Sequence, residues 1–240
     1  MLKRLLTATL KRNNIQFLCD EKDYGVIAEP IPSRKILPQW FKDLPPKIDN
    51  KNKILNSTIK RCMPVLDAFS AGWIIPLAAD VEFITGPNAI QVETKSRFHK
   101  TLIETHNQSQ VAGHPEMPKT PFKFLNYWAI KLPPGYSMLF MPPLNRYEPR
   151  FECFSGIVDD TYMGQGALEY INFPFFFKQQ NYTGIIKQGT PLVQCIPFKR
   201  EPYNHTVGKL SKKDDDLISL TRRRHAAHES IYHDHLRQSK

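Results

Sequence analysis

Twenty prolines are spread along the 240 residues of this chain, against eleven glycines. Because proline lacks a backbone hydrogen-bond donor and breaks the interior of a helix, this spacing favours short strands with rigid connections over a helical bundle. Segments rich in β-branched and aromatic residues lie between the turns, at 74–83, 89–92, 128–132, 137–141, 152–158, 167–177, 183–186 and 192–198. The sequence therefore predicts an all-β fold, a distorted barrel or sandwich with short helical extensions at the N-terminal and C-terminal ends.

Changes of composition divide the chain into three predicted parts. Residues 1–57 form an N-terminal extension with a short helix over 1–13, strands and a Pro-rich segment. Residues 58–200 form the β domain, which a polar, charged loop at 49–53 precedes. Residues 201–240 form a basic C-terminal helical arm.

The arm carries its charges in an order that suits a helix. Ser211 can cap its start, three aspartates follow at 214–216, and Arg222, Arg223 and Arg224 come later. Acidic residues near the start and basic residues near the end of a helix are favoured by the helix dipole. Because the apolar stripe is thin, these arginines are predicted to belong to an exposed interaction arm or to a helix that packs against a partner.

The formal net charge of +10 and the pI near 9.4 indicate an acidic partner. Much of the excess charge lies at the two ends, so non-specific contact of these ends with nucleic acid is one interpretation. No apolar run reaches the ~20 residues that a membrane-spanning helix needs. We therefore predict no membrane span and a cytoplasmic location, which is the host cytoplasm if the chain is phage-encoded.

The cysteines and histidines give little sign of a metal centre. Cys19, Cys62, Cys153 and Cys195 are far apart and form no CxxC pair, which argues against a zinc ribbon and a disulfide framework. We expect reduced, mostly buried thiols. The eight histidines show no ligand spacing typical of a metal site, so neither a metal nor a cofactor is predicted.

Three segments, in matching order and spacing, resemble motifs of the dUTPase and dCTP-deaminase (β-clip) superfamily. Residues 132–140 (Leu-Pro-Pro-Gly-Tyr-Ser-Met-Leu-Phe) are similar to the strand–turn–strand that enters the second motif. Residues 156–164 resemble the third motif, Gly-Val-Ile-Asp-x-x-Tyr-x-Gly, and residues 186–196 resemble a lysine–glycine turn followed by a strand. The same stretch, with 71–73 and 172–175, also resembles an uncharacterised family of bacterial and phage proteins.

The resemblance to dUTPases implies roles for individual residues. The third-motif carboxylate orients the attacking water and the nearby tyrosine packs against the deoxyribose, which assigns these roles to Asp159 and Tyr162. Nucleotide contacts would fall to Gln194 and Arg146. The second motif of the family clamps phosphates with Arg-Ser, but this chain has Pro-Pro-Leu-Asn at 142–145. A Trp-Ile pair also breaks the first motif, and a charged helix is predicted where the family has a Gly-rich phosphate lid.

These departures predict a protein without catalytic activity. We expect a homo-oligomer with a structural or interaction role, encoded by a phage and suited to a virion, with other structural proteins as further partners. The resemblance implies a trimer, and we interpret the phenylalanines of 173–177 as a subunit contact. The alternative is a nucleotide-binding protein, or a divergent dUTPase-like or dCTP-deaminase-like hydrolase that uses Asp159.

The strand pattern also predicts a set of buried core residues. They are Trp128, Ile130, Leu139, Ile157, Ile171, Ile196 and Phe198.

Overall fold

The computed structural model describes residues 14–49, 55–87, 92–116, 119–228 and 231–238. The chain forms two compact units, one of residues up to Pro38 with Phe69–Arg200, and one of Gln39–Ala68 with the residues from Glu201 onward. The helix predicted over 1–13 lies outside the described residues. The boundaries predicted after residues 57 and 200 stay predictions.

Short strands make up most of the regular structure. In chain order they are β1 (Gln16–Leu18), β2 (Ile31–Pro32), β3 (Lys47–Asp49), β4 (Leu55–Ser57), β5 (Trp73–Pro76), β6 (Val81–Thr85), β7 (Val92–Lys95), β8 (Ile103–Thr105), β9 (Pro121–Phe124), β10 (Ala129–Lys131), β11 (Tyr136–Met141), β12 (Phe151–Cys153), β13 (Gly156–Asp159), β14 (Phe173–Phe177), β15 (Thr183–Ile186) and β16 (Pro191–Lys199). The α-helices are α1 (Gln39–Asp43), α2 (Met63–Ser70) and α3 (Lys212–Ala227). Short 3-10 helices cover Ser33–Lys35, Ile59–Arg61 and Gln108–Val111, and a π-helix covers Tyr232–Leu236.

The strands pair antiparallel in several separate sheets. The largest has the order β13-β11-β16-β5-β2, the next has the order β12-β14-β9-β8, and a third has the order β15-β6-β7. Two further pairs are β1 with β10 and β3 with β4. The predicted all-β class is confirmed. In the part of the chain that the structure describes, however, the sheets do not close into one continuous barrel.

Aromatic side chains fill the core between the sheets. The rings of Phe124 and Phe175 stack with centroids 3.9 Å apart, and those of Phe83 and Phe177 stack at 4.2 Å. All four phenylalanines of β14 are buried, because β14 is paired on both edges and its remaining face is covered by the rings of His114 and Phe154. The interpretation of this segment as a subunit contact is therefore wrong.

The predicted core residues differ in how far they are buried. Trp128 and Ile130 are buried as predicted. The other five are half-buried (Leu139, Ile171 and Ile196) or exposed (Ile157 at 61% and Phe198 at 39%).

Strand register explains why Leu139, Ile157 and Ile196 lie outside the core. Leu139 is the direct cross-strand partner of both Ile157 and Ile196, so all three side chains share one face. The alternating residues Met138 and Phe140 are buried in the core, which places the Leu139 row on the opposite face. Leu139, Ile157 and Ile196 lie in strands as predicted, but alternation alone did not say which face would be covered. Trp128 and Ile171 lie just before β10 and β14 and not within a strand.

The second unit holds the helical arm. α3 begins with a capping box in which Ser211 and Asp214 bond each other's backbone N–H groups, and it has no buried residue. Beyond α3, Ile231 is buried, and the Arg237 guanidinium pairs with both carboxylate oxygens of Asp67 on α2. The end of the arm is thus anchored within its own unit, while α3 itself is exposed.

Gly72 permits a close approach of two backbones in the largest sheet. It precedes β5 with φ of +61°, and a Cβ at this position would lie 1.9 Å from the carbonyl oxygen of Cys195 on β16. Its own carbonyl accepts a hydrogen bond from the N–H of Ser33, at 3.1 Å. Only glycine fits both the left-handed backbone and the contact with β16.

We expect Gly72→Ala to destabilise the protein by about 3 kcal/mol or more, because left-handed strain adds to a clash with backbone that cannot move alone. The matched control is Gly189→Ala, where φ is +84° but no atom lies within 4 Å of the added Cβ. That variant should be destabilised only by the left-handed strain, by about 1–2 kcal/mol. Urea unfolding measures both, and equal losses would contradict the close-approach account.

Candidate functional site

The segment that resembles the third dUTPase motif forms β13 and the turn after it. Register places Asp159 beside Ser137 of β11, and the Ser137 hydroxyl donates to Asp159 Oδ1 at 2.6 Å. The Arg200 guanidinium, directly after β16, lies 3.5 Å from the same oxygen. The Asp159 side chain is 53% exposed, so this carboxylate lies on the sheet surface and not in a cleft.

The next residue, Asp160, is the buried carboxylate of this turn. Its Oδ2 accepts a hydrogen bond from the Gly135 N–H at 2.9 Å, and its Oδ1 pairs with the Arg200 guanidinium. The hydrogen bond from Gly135 and the Arg200 pair hold the pKa of Asp160 below its ordinary value. Arg200 also donates to the Tyr136 carbonyl at 2.7 Å, so one guanidinium fastens three strand ends together. Sequence reasoning missed Asp160 and Arg200, although their positions beside Asp159 and at the end of the last strand were visible.

Tyr162 lies in the same turn, with a side chain that is 47% exposed. Its backbone N–H donates to the Asp159 carbonyl at 3.1 Å, which closes the turn.

Gln194 has a buried side chain that joins three segments of backbone. Its Nε2 donates to the Ala71 carbonyl at 2.7 Å, and its Oε1 accepts from the Leu144 N–H at 2.9 Å. These bonds fix the loop after β11 and the residue before Gly72 to β16. Both polar atoms of the amide are therefore hydrogen-bonded to backbone groups.

Arg146 is held by the loop after β2. Its guanidinium donates to the carbonyls of Ile36 and, at 3.4 Å, of Ser33, and it lies 5.9 Å from the centre of the Phe69 ring. Burial lowers the pKa of Arg146. Arg146 also lines a cavity of about 210 Å³, together with Pro142 and other residues.

The length of β11 separates Asp159 and Tyr162 from Gln194. Asp159 lies beside Ser137, whereas Gln194 lies beside Met141 at the other end of β11. Four strand residues span about 13 Å at roughly 3.3 Å per residue. Asp159 and Tyr162 therefore share one end of β11, while Gln194 lies at the other end with the loop that carries Arg146. None of Asp159, Tyr162 and Gln194 lines the 210 Å³ cavity.

A further ionic cluster lies outside the three segments that resemble dUTPase motifs. The buried carboxylate of Asp23 contacts Lys100 Nζ at 2.6 Å and His99 Nε2 at 3.1 Å, and Lys100 also pairs with Asp20. Hydrogen bonds to Asp20 and Asp23 raise the pKa of Lys100, and burial raises the pKa of the nearby Cys19 thiol. A lysine that stays charged and a thiol that stays protonated are poor nucleophiles, so these shifts disfavour nucleophilic chemistry by Lys100 and Cys19.

Two of the remaining cysteines, Cys153 and Cys195, are buried. All four thiols are free, and burial raises the pKa of Cys153 and raises that of Cys195 to about 12. A cavity of about 320 Å³ lies between His114, Phe154 and Phe176. A larger space of about 680 Å³ includes Asp80, whose carboxylate accepts from the Gln188 N–H and pairs with Lys187.

Neither a metal-ligand cluster nor a membrane-spanning helix occurs within the described ranges. There, no three or more His, Cys, Asp or Glu side chains are grouped to hold a metal ion. The same ranges contain no helix long and apolar enough to cross a membrane.

Comparison with known proteins gives matches to solved structures alone. No protein-family model and no curated protein matches the sequence. A dUTPase of Staphylococcus bacteriophage 80alpha, in complex with dUpNHpp, matches at 12% identity and a TM-score of 0.37, over 85% of this chain and 95% of that chain. A dUTPase of phage phi11 of S. aureus matches at 11% identity and a TM-score of 0.36, over 83% of this chain and 99% of that chain. The chain is thus similar to phage dUTPases, the enzymes that its three segments resemble. Because these TM-scores are below 0.5, the matches carry no conclusion about the activity or the assembly state of this chain.

Exchanging Asp160 for asparagine should destabilise the protein more than the same change at Asp159. Asp160→Asn removes the charge that pairs with Arg200 inside the turn, whereas Asp159→Asn alters an exposed side chain. Because the folded-state pKa of Asp160 is below its ordinary value of 3.8, its carboxylate stabilises the fold above about pH 4. That contribution is lost as the pH falls through the lowered folded-state pKa.

Thermal unfolding between pH 2 and pH 7, a range that covers the titration of an Asp near 3.9, tests this expectation. The melting temperatures of the wild type and Asp160→Asn should differ most at neutral pH and converge in acid. A gap that is constant with pH, or an equal loss in Asp159→Asn, would show that the Asp160 charge does not stabilise the turn.

Proposed function

We propose that this protein is a non-catalytic, self-associating β domain with a structural or interaction role. The observation that carries the proposal is the face of the largest sheet that points away from its core. We call it the outward face, and it consists of Leu139, Ile157, Ile196 and Phe198.

The outward face has the properties of a protein contact. Ile157 is 61% exposed and Phe198 is 39% exposed. Leu139 is the cross-strand partner of both Ile157 and Ile196, and Phe198 follows Ile196 by two residues on the same face of β16. Contiguous exposed apolar surface on a soluble protein marks interaction sites. Among the described residues β13, which carries Ile157, is an edge strand of its sheet, and an edge strand can pair with a second chain.

The residues that the resemblance assigns to catalysis support the non-catalytic part of the proposal. Asp159 lies on the rim of the outward face, where Ser137 and Arg200 already contact its carboxylate. Catalytic phosphate chemistry needs preorganised donors around the transferred group. The loop after β11 instead supplies Pro142 and Pro143, which have no N–H group to donate.

The proposed setting is a phage and its host cell, and the proposed partners are proteins or nucleic acid. Self-association in a larger assembly suits a phage-encoded protein of the host cytoplasm that becomes a virion component. The exposed arginines 222–224 of α3 are proposed as a second contact surface, used for neighbouring subunits, other structural proteins or, non-specifically, nucleic acid.

Replacing Ile157 with glutamate tests the outward face. A charge buried without a partner at a contact is strongly unfavourable, so Ile157→Glu should weaken self-association by more than about tenfold. Sedimentation velocity over a concentration series measures this. The matched control is Ile185→Glu, which places the same charge at an isoleucine that is 48% exposed on β15, in a different sheet.

Both variants should melt within a few degrees of the wild type, since each changes an exposed side chain. The wild type, Ile157→Glu, Ile185→Glu and Asp159→Asn are also assayed for hydrolysis of dUTP and dCTP. We expect no enzyme-like rate from any of them. Unchanged association of Ile157→Glu would overturn the outward-face contact. Hydrolysis that Asp159→Asn abolishes would instead favour the divergent hydrolase.

A further inference from the structure

Arg146 is a half-buried cation for which the described residues supply no counter-ion. Its guanidinium donates to the carbonyls of Ile36 and Ser33, which are neutral, and no described carboxylate forms an ion pair with it. Burial lowers the pKa of Arg146, and no neighbouring charge acts against this shift. Because a charge removed from water is unfavourable unless an opposite charge compensates it, Arg146 lacks the partner that its position calls for.

Two neighbouring residues here each have a buried polar atom without a hydrogen-bond partner. Three such side-chain atoms occur among the described residues, and two of them are Arg146 Nε and Ser33 Oγ. The residues are in contact, since Arg146 Nη2 lies 3.4 Å from the Ser33 carbonyl oxygen, and Ser33 is fully buried. Buried donors without an acceptor are rare in folded proteins and point to a bound ion or water. An acceptor beside Arg146 would satisfy such donors.

Arg146 lines a cavity of about 210 Å³ in which each carboxylate already has a cation of its own. Arg150 holds Glu148 through two hydrogen bonds of 2.7 Å, and Lys178 pairs with Glu152. Among the described residues, Arg146 is thus the lining cation that is left without an opposite charge. Sites for small organic molecules usually measure about 300–1,000 Å³, so this cavity suits an inorganic ion better than a nucleotide.

We propose that Arg146 binds a small inorganic anion in this cavity and that the Ser33 hydroxyl donates to the same ion. Chloride and phosphate share the required chemistry, which is a compact negative charge that accepts hydrogen bonds. The anion compensates the buried guanidinium and joins the segment after β2, through Ser33, to the loop after β11, through Arg146. Its role is structural and does not depend on the proposed self-association.

Thermal unfolding of the full-length protein in sodium chloride and, separately, in sodium phosphate tests the proposal. A ligand that binds only the folded state raises the melting temperature as its concentration increases. The melting temperature of the wild type should therefore rise by a few degrees between ~1 and ~100 mM of the bound anion. The salt that acts at the lower concentration identifies the anion as chloride or phosphate.

Variants separate binding at Arg146 from a general effect of salt. Arg146→Gln removes the charge but keeps an amide N–H group for the Ile36 carbonyl, and it should lose the anion-dependent rise. The matched control is Arg97→Gln, which removes one positive charge from an exposed side chain of the same unit and should keep the rise.

Glu152→Gln tests the site in the opposite direction. It removes a negative charge from the cavity lining, so the anion should bind about threefold or more tightly. Because the Glu152 side chain is 58% exposed, this variant should fold even if Arg146→Gln does not.

A crystal structure with the bound anion, using bromide in place of chloride for its anomalous signal, locates the ion. Density within hydrogen-bond distance of Arg146 supports the proposal. Density elsewhere, no rise in melting temperature with either salt, an equal rise in Arg146→Gln and the wild type, or an unchanged affinity in Glu152→Gln would overturn it.

Discussion

The pairing of β11 with β16 is the contact on which the rest of the main unit depends. It runs from Tyr136 opposite Lys199 to Met141 opposite Gln194. Because side chains alternate along a strand, this register turns Met138 toward the core and Leu139 away from it. A slip by one residue would exchange the two faces, exposing the core residues of both strands.

The same register determines what the site can do. It places Arg200, at the end of β16, beside the turn after β13, where a buried carboxylate fixes the guanidinium. It also separates Asp159 from Gln194 by the length of β11. Within one chain, the residues to which the resemblance assigns catalytic or nucleotide-binding roles are divided between the two ends of a strand. The register also leaves an apolar sheet face beside an edge strand, and this is the surface that we propose for association.

Much of the strand pattern could be predicted from the sequence, because β-branched and aromatic runs between turns are a local signal. The strand predicted at 183–186 is β15 as observed, and the one at 137–141 lies within β11. The run at 152–158 instead divides into β12 and β13, which belong to different sheets. The exposure of the outward face could not be predicted, since alternation defines two faces without saying which is covered. The partnership of Asp160 with Arg200 joins residues 40 apart, and no local pattern encodes such a pair.

Hydrogen–deuterium exchange of the full-length protein across a concentration series tests the central claim most directly. If the outward face is a contact between copies, exchange at 156–159 and 196–198 should slow as concentration rises, while exchange at 183–186 stays the same. Addition of dUTP should change neither. Exchange that is independent of concentration, or protection of 159–162 by dUTP, would contradict a non-catalytic protein that associates through this face.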